Sequence, residues 1–352
     1  MHELQQYVDR AKESLYFSGA KIDCHLKSFI EEQAAACEAL GREYKGRFRH
    51  LFLVGSGGSL ASMQTAKYVL DGLLSVPSDV IGSYELIWRE PQLLDKDALV
   101  FFASYSGETE DTVAALHFAK RRGAHTVAIV AMKDSTMARE ADVVIPYDNG
   151  AIYEIPVAAL IFFACGQVEG ADTDAPLPRL RDGLLALPEI LRNTLAVEER
   201  KAEGRARELL SAQHLYVLGA GPLGPLAYKL AMSVVMENLR IGATFSDACE
   251  WRHGPAEALE RVRGRFVVLL GTDASRDMTL RTIDFCRNNG SDVLVYDAAE
   301  LGDVHPLLTP IVLNSHTQWL IVYSAILRGI TDLDERVFMG HHVLAAGGAT
   351  WP

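Results

Sequence analysis

Two stretches of this chain are near copies of each other. His50-Leu51-Phe52-Leu53-Val54-Gly55-Ser56-Gly57 and His214-Leu215-Tyr216-Val217-Leu218-Gly219-Ala220-Gly221 each run a short apolar segment into a glycine-bearing turn, and a helical pattern follows both. A short apolar run closed by a turn reads as a buried strand. Strands that alternate with helices pair in parallel, with helices covering both faces of the sheet. An internal duplication of this unit restricts the chain to two α/β bodies built alike.

The rest of the pattern fits that plan. Strand candidates in the first half are Leu51–Val54, Val80–Ser83, Leu99–Ala103, Thr126–Ala131 and Val143–Pro146. Helices fall at Leu60–Leu74, Thr109–Arg121 and Asp134–Glu140, and a longer one runs from Tyr153 to Gln167 with Pro156 in its first turn. The second half offers strands at Ala243–Phe245, Phe266–Leu270 and Asp292–Val295, and helices at Leu226–Arg240, Met278–Asn288 and Thr317–Gly329. Ahead of the first strand, residues 1–47 read as helical, with Leu4, Val8, Ala11 and Leu15 at helical spacing and a second helix over Ile22–Leu40. The polar, proline-containing stretch from Ala171 opens a linker, which continues as helix to about Ala212. The expected division is a helical segment (1–47), a first α/β body (48–172), a helical linker (173–212), a second body (213–332) and a C-terminal tail (333–352) beside the site.

Chemistry concentrates where the strands end. After Ala98–Ala103 the chain reads Ser104-Tyr105-Ser106-Gly107-Glu108-Thr109, and a helix follows with Glu110 and Asp111 in its first turn. Hydroxyls, a glycine and backbone N–H groups at a helix N-terminus suit an anion, phosphate above all. Gly55-Ser56-Gly57-Gly58-Ser59 is a second turn of this kind. It is neither Gly-x-Gly-x-x-Gly, because Leu60 stands at the third glycine, nor a Walker loop, because no Gly-Lys-Ser/Thr follows. Two such turns at adjacent strand tips make the crevice of a parallel sheet's switch point. The second half offers Gly271-Thr272-Asp273 instead, and Asp273 repels phosphate, so one phosphate site per chain is expected. Gly219-Ala220-Gly221-Pro222-Leu223-Gly224 does match the dinucleotide spacing, but Asp247 is a poor ribose partner and tight backbone packing explains the glycines better.

Composition excludes several classes. The 352 residues carry a net charge of −12, which argues against nucleic acid as a partner. No apolar run reaches the roughly 20 residues of a membrane span, and Met1–Gln6 has no signal-peptide character. Cys24, Cys37, Cys165, Cys249 and Cys286 are scattered and odd in number, so neither a disulfide framework nor a zinc site is suggested and a reducing cytoplasm is the expected home. No cluster calls for a metal or cofactor.

Two further residues stand out. Glu237 interrupts an apolar helix (Leu230, Met232, Val234, Val235, Met236, Leu239), where a carboxylate is costly unless it is paired or functional. His253 precedes Gly254-Pro255 at a bend. A half-exposed helix face and a surface turn would account for them equally well on their own.

In combination, these motifs resemble the double sugar-isomerase (SIS) domain proteins, over about residues 48–330. That family includes the isomerase half of glutamine–fructose-6-phosphate aminotransferase and the fructosamine-6-phosphate deglycases. The resemblance implies two tandem SIS domains, each a flavodoxin- or Rossmann-like parallel sheet flanked by helices. It implies that Ser56, Gly57 and Ser59 form the first phosphosugar turn, and that Ser104, Tyr105, Ser106 and Thr109 form the phosphate loop, with Tyr105 where the aminotransferase has glutamine. It makes Glu237 the proton-abstracting base and His253 the ring-opening group, which in this family reaches the site from the neighbouring subunit, so a homodimer with shared sites is implied.

The departures from the family narrow the activity. The aminotransferase half is missing, no lysine occurs after Lys229, and Val234 replaces the lysine that stands three residues before the catalytic glutamate. A substrate that brings its own amine fits such a site, which points to a fructosamine 6-phosphate and a deglycase releasing glucose 6-phosphate. Glucosamine-6-phosphate deamination or aldose–ketose isomerisation would use the same residues. A phosphosugar-sensing module is a rival of another class, opposed by the joint presence of Glu237 and His253. The leaving amine stays open among aspartate, lysine, glutamine and opine-like adducts, with its pocket expected near Tyr153, Glu154 and the tail. His341 and His342 could stand in for the missing lysine or belong to a solvated tail.

Overall fold

Strand β1 (His50–Gly55) is buried at every position, and so is β3 (Ala98–Ser104) beside it. Continuous apolar strands of this kind belong in a parallel sheet covered on both faces. The computed structural model, which describes residues 2–14, 17, 20–169 and 177–337, shows that sheet. With β2 (Ser78–Gly82), β4 (His125–Val130) and β5 (Val143–Pro146), the five strands take the order β2-β1-β3-β4-β5, all parallel. This is the flavodoxin-like order, in which the chain reverses direction across the sheet between β1 and β3.

The second half repeats it with one strand fewer. Strands β6 (His214–Gly219), β7 (Gly242–Asp247), β8 (Arg265–Leu270) and β9 (Asp292–Asp297) are ordered β7-β6-β8-β9, again all parallel. The duplication read from the two His-Leu segments is thus a duplication of topology: β6 occupies in its sheet the place that β1 occupies in the first.

The helices comprise α1 (His2–Ala11), α2 (Ile22–Tyr44), α3 (Gly57–Leu73), α4 (Ser83–Arg89), α5 (Glu110–Arg121), α6 (Thr136–Glu140), α7 (Glu154–Val168), α8 (Leu177–Glu208), α9 (Gly224–Lys229), α10 (Arg276–Asn288) and α11 (Thr309–Leu327). Past Lys229 the α9 segment widens into a π-helical stretch, Leu230–Leu239, which carries Glu237. Three features depart from the sequence reading. Helix α4 was not anticipated. The helical region after the linker is one long helix, α8, that continues through Pro188. Helix α11 begins eight positions earlier than the expected Thr317, because Pro310 serves its first turn and the polar run Asn314-Ser315-His316-Thr317 is buried inside it.

One apolar core joins the two halves, from Phe29 of α2 through Phe163 of α7 to Leu320 of α11. Helix α7 is buried on all sides, as an apolar helix without a polar face must be. It crosses α2 at backbone contact: a Cβ on Gly166 would lie 2.0 Å from the Glu38 carbonyl oxygen, and one on Gly41 would lie 2.1 Å from that of Phe163. All five cysteines are free thiols. Among the described residues no helix is long and apolar enough to cross a membrane.

Candidate active site

Because β1 and β3 are parallel neighbours, the turns that follow them open on the same edge of the sheet. The β1 turn bends at Gly57, whose φ of 54° suits glycine. It lies against the helix carrying Glu237: a Cβ on Gly57 would stand 3.6 Å from Ser233 Oγ, and one on Gly58 would stand 3.7 Å from Lys229 Cε. A first-half turn and a second-half helix therefore share a wall.

Between them is a cavity of about 240 Å³. Ser56, Ser59, Lys229, Glu237, Glu154 and Arg336 are among its lining residues, so it draws on both halves and on the C-terminal segment. Of the residues expected from sequence, it brings together Ser56, Ser59 and Glu237. Ser104, Tyr105, Ser106 and Thr109 do not line it. Their turn closes on itself, with Ser104 Oγ 2.8 Å from Thr109 Oγ1 and accepting from Gly107 N. The Tyr105 ring packs against Tyr147, edge on. The two turns are nonetheless tied: Ser56 Oγ donates to Asp111 Oδ2 at 2.5 Å, in the first turn of α5. His253 lies on an exposed bend after β7, within reach of Arg252, and is not part of this cavity in the single chain.

Glu237 is held by an ion pair, Oε1 to Arg336 Nε at 2.6 Å. Deeper in the wall is a buried polar chain that sequence reasoning did not assemble. Lys229 Nζ donates to Asn314 Oδ1 at 2.9 Å, and Asn314 Nδ2 donates to Glu154 Oε1 at 2.6 Å. Burial pushes the Lys229 ammonium below the usual lysine range, against the opposing pull of Glu154 and Glu237. Burial pushes the Glu154 carboxyl up, with Lys229, Asn314 and Ser315 opposing it. Glu154 Oε2 is buried with no hydrogen-bond partner. The sequence did carry a signal: Lys229 is the only charged residue between β6 and Glu237, and Glu154 is the one acid at the head of an otherwise apolar helix.

The corresponding turn of the second half is closed. Asp273 Oδ1 would lie 2.7 Å from a Cβ on Gly221, so a carboxylate stands against this turn.

Comparison with known proteins places the chain. The SIS domain profile matches residues 47–163. Fructoselysine 6-phosphate deglycase of Escherichia coli K12 is 30% identical over 293 residues, covering 82% of this chain and 85% of that protein. The chain belongs to the SIS-domain family. Fructosamine deglycase FrlB of Bacillus subtilis is also 30% identical, covering 79% of this chain and 88% of its own. Among solved structures, one assigned as a phosphosugar isomerase of Bacillus subtilis superposes with a TM-score of 0.78 at 29% identity, covering 87% of this chain and 98% of that one. Glucosamine-6-phosphate deaminase of Thermotoga maritima shares the fold, with a TM-score of 0.71 at 17% identity over 95% of this chain and 97% of that one. In this SIS-domain chain the profile covers the half that carries the two serine turns. The second half carries Lys229 and Glu237.

Proposed function

We propose that this protein is a phosphosugar-processing enzyme acting as a fructosamine-6-phosphate deglycase, releasing glucose 6-phosphate and an amine. The observation that carries the reading is the placement of Glu237 in one cavity with Ser56 and Ser59. Hydroxyls from a glycine-bearing turn and a carboxylate lining one cavity suit a substrate with a phosphate at one end and an acidic carbon at the other. The similarity to two deglycases at 30% identity supports the substrate class.

In this reading the turns after β1 and β3 hold the phosphoryl group, with Ser104, Tyr105, Ser106 and Thr109 engaging it beside Ser56, Gly57 and Ser59. The cavity leaves the 104–109 turn aside, so that engagement requires Asp111 to release Ser56 or the phosphate to bridge the two turns. Glu237 takes a proton from C1, beside the C2 carbonyl, and the resulting enaminol accepts it back at C2. The imine so formed is split by water. General-base catalysis of this kind contributes about 10²–10⁴-fold. His253, exposed here, acts in ring opening from the partner subunit, which makes the working enzyme a homodimer. The tail beyond Val337, with His341 and His342, lies outside the described residues, but Leu333 and Arg336 already bring the C-terminal segment to the cavity.

The test is an assay of a panel of fructosamine 6-phosphates with different amines, beside glucosamine 6-phosphate and fructose 6-phosphate. Release of glucose 6-phosphate from at least one fructosamine 6-phosphate supports the reading. Turnover of glucosamine 6-phosphate or of the unsubstituted sugar alone would overturn it in favour of a deaminase or an isomerase.

A further inference from the structure

We propose that Lys229 is a second acid–base residue of this cavity, the partner of Glu237, donating a proton to the substrate's O2 as Glu237 removes one from C1. The inference rests on the reading of the site as one for phosphosugar enolisation, and it goes beyond that reading in assigning the other half of the proton transfer.

The argument is geometric first. Enolisation moves charge onto a carbonyl oxygen, so a base at C1 works best with a donor at O2. In the single chain, the cavity offers Lys229 and Arg336 as cationic donors. Arg336 is already bound to Glu237, the base itself. Lys229 lines the same cavity from the same helix as Glu237, about two turns away along the chain. Its Cε would lie 3.7 Å from a Cβ on Gly58, and its ammonium stands 5.4 Å from the centroid of the Tyr153 ring. An ammonium has three donors, and Asn314 takes one of them.

Asn314 also explains why a buried amine can both give and take a proton. Its amide accepts from Lys229 and donates to Glu154, so the lysine and the carboxylate communicate without direct pairing. A direct ion pair would lock Lys229 in the charged form. The charged and titratable groups that line the cavity with Lys229 are Glu154 and Tyr153 from the head of α7, Glu237 on its own helix, and Arg336, paired with Glu237. Burial lowers the lysine, and the two carboxylates restrain the shift. This is the environment that brings a lysine toward working pH for proton transfer.

The steps balance. The C1–H electron pair becomes the C1=C2 bond as Glu237 takes the proton. The C2=O π pair takes a proton from the Lys229 ammonium, giving the enaminol and a neutral amine. The Glu237 acid returns its proton to C2, and the nitrogen lone pair closes the C1=N bond, giving an iminium ion. Water adds to C1 and yields its proton to the neutral Lys229, which becomes an ammonium again. The carbinolamine then collapses, its hydroxyl proton passing to the nitrogen, and releases the amine and glucose 6-phosphate.

The test uses the full-length enzyme and a fructosamine 6-phosphate. Lys229→Met should fold, since it trades a buried amine for an apolar side chain of similar length, and should lose about 10²-fold in kcat with KM within about threefold. Wild-type kcat should fall along an alkaline limb that lies below the ordinary lysine range, and that limb should be absent from the residual rate of Lys229→Met. Glu154→Gln, which touches Lys229 only through Asn314, should move the limb to lower pH, because it removes a charge that favours the ammonium. A Lys229→Met enzyme with unchanged kcat, or a limb unmoved by Glu154→Gln, overturns the proposal. If the wild type enolises only glucosamine 6-phosphate or fructose 6-phosphate, the deglycase reading fails, and the same variants on that substrate still decide Lys229. Absence of turnover on every phosphosugar overturns both.

Discussion

Glu237 Oε1 lies 2.6 Å from Arg336 Nε, and the two side chains are only 18% and 12% exposed. The pair joins the centre of the second half to the segment that follows the last helix. It fixes which way the carboxylate points, and in the proposed reaction the orientation of that base is worth orders of magnitude in rate. Arg336→Met should therefore lower kcat by about 10-fold to 10²-fold, and Arg336→Lys should recover part of it, in steady-state assays on a fructosamine 6-phosphate. Equal rates for both variants and the wild type would show that the pair plays no part in turnover.

Ser59 lines the cavity at the start of α3 and carries a hydroxyl that suits an anion. Ser59→Ala should raise KM by about tenfold, the loss of one hydrogen bond to a charged group, with kcat within a few-fold. That pattern marks binding shared by ground and transition states. A kcat loss at unchanged KM would move Ser59 from the phosphate end to the reacting end.

The crossing of α2 and α7 is set by glycine. At Gly166 an added methyl meets a backbone carbonyl oxygen rather than a side chain that could move aside. Gly166→Ala should cost about 1–3 kcal/mol, read as a lower urea midpoint with little change in slope. A neutral effect would mean that the helices separate freely.

His316 gives a pH dependence of stability. It is buried on α11, 3.0 Å from Thr194 Oγ1, and burial first, then Arg205 and Lys201, lower its pKa to about 4. The unfolded histidine takes its proton near 6.5, so between pH 6.5 and about 4 the unfolded chain binds more protons. The contribution is complete above pH 6.5 and is lost as pH falls through the folded value, a loss of about 3 kcal/mol. Glu198, whose Oε2 is 3.9 Å from His316 Nδ1, is pushed up by its own burial, so the variant isolates the histidine better than the whole curve does. His316→Gln should flatten urea stability across that window. An equal slope in both proteins would refute the assignment.

The sequence made the sheets legible because β1, β3, β6 and β8 are apolar runs bounded by turns, a pattern that few other structures produce. Glu237 was legible for the same reason, as one carboxylate in an apolar helix. The boundary of α11 was not, because Asn314-Ser315-His316-Thr317 looks solvated until Asn314 is seen bonded to both Lys229 and Glu154. Those contacts join elements far apart in the chain, and no local pattern records them. Arg336 was missed likewise: in the sequence it is one charge among Asp332, Asp334 and Glu335, and only the fold turns it toward Glu237. The self-closure of the 104–109 turn, and its separation from the cavity, also depend on side-chain rotamers that spacing does not set.

The most direct test of the account is the conversion of a fructosamine 6-phosphate by Glu237→Gln beside the wild type, with sugar-phosphate affinity measured in parallel. The amide keeps the shape of the side chain and removes its basicity, so affinity should stay within a few-fold while turnover falls by at least about 10²-fold. Turnover near the wild-type rate would mean that another group abstracts the proton and that Glu237 only braces Arg336.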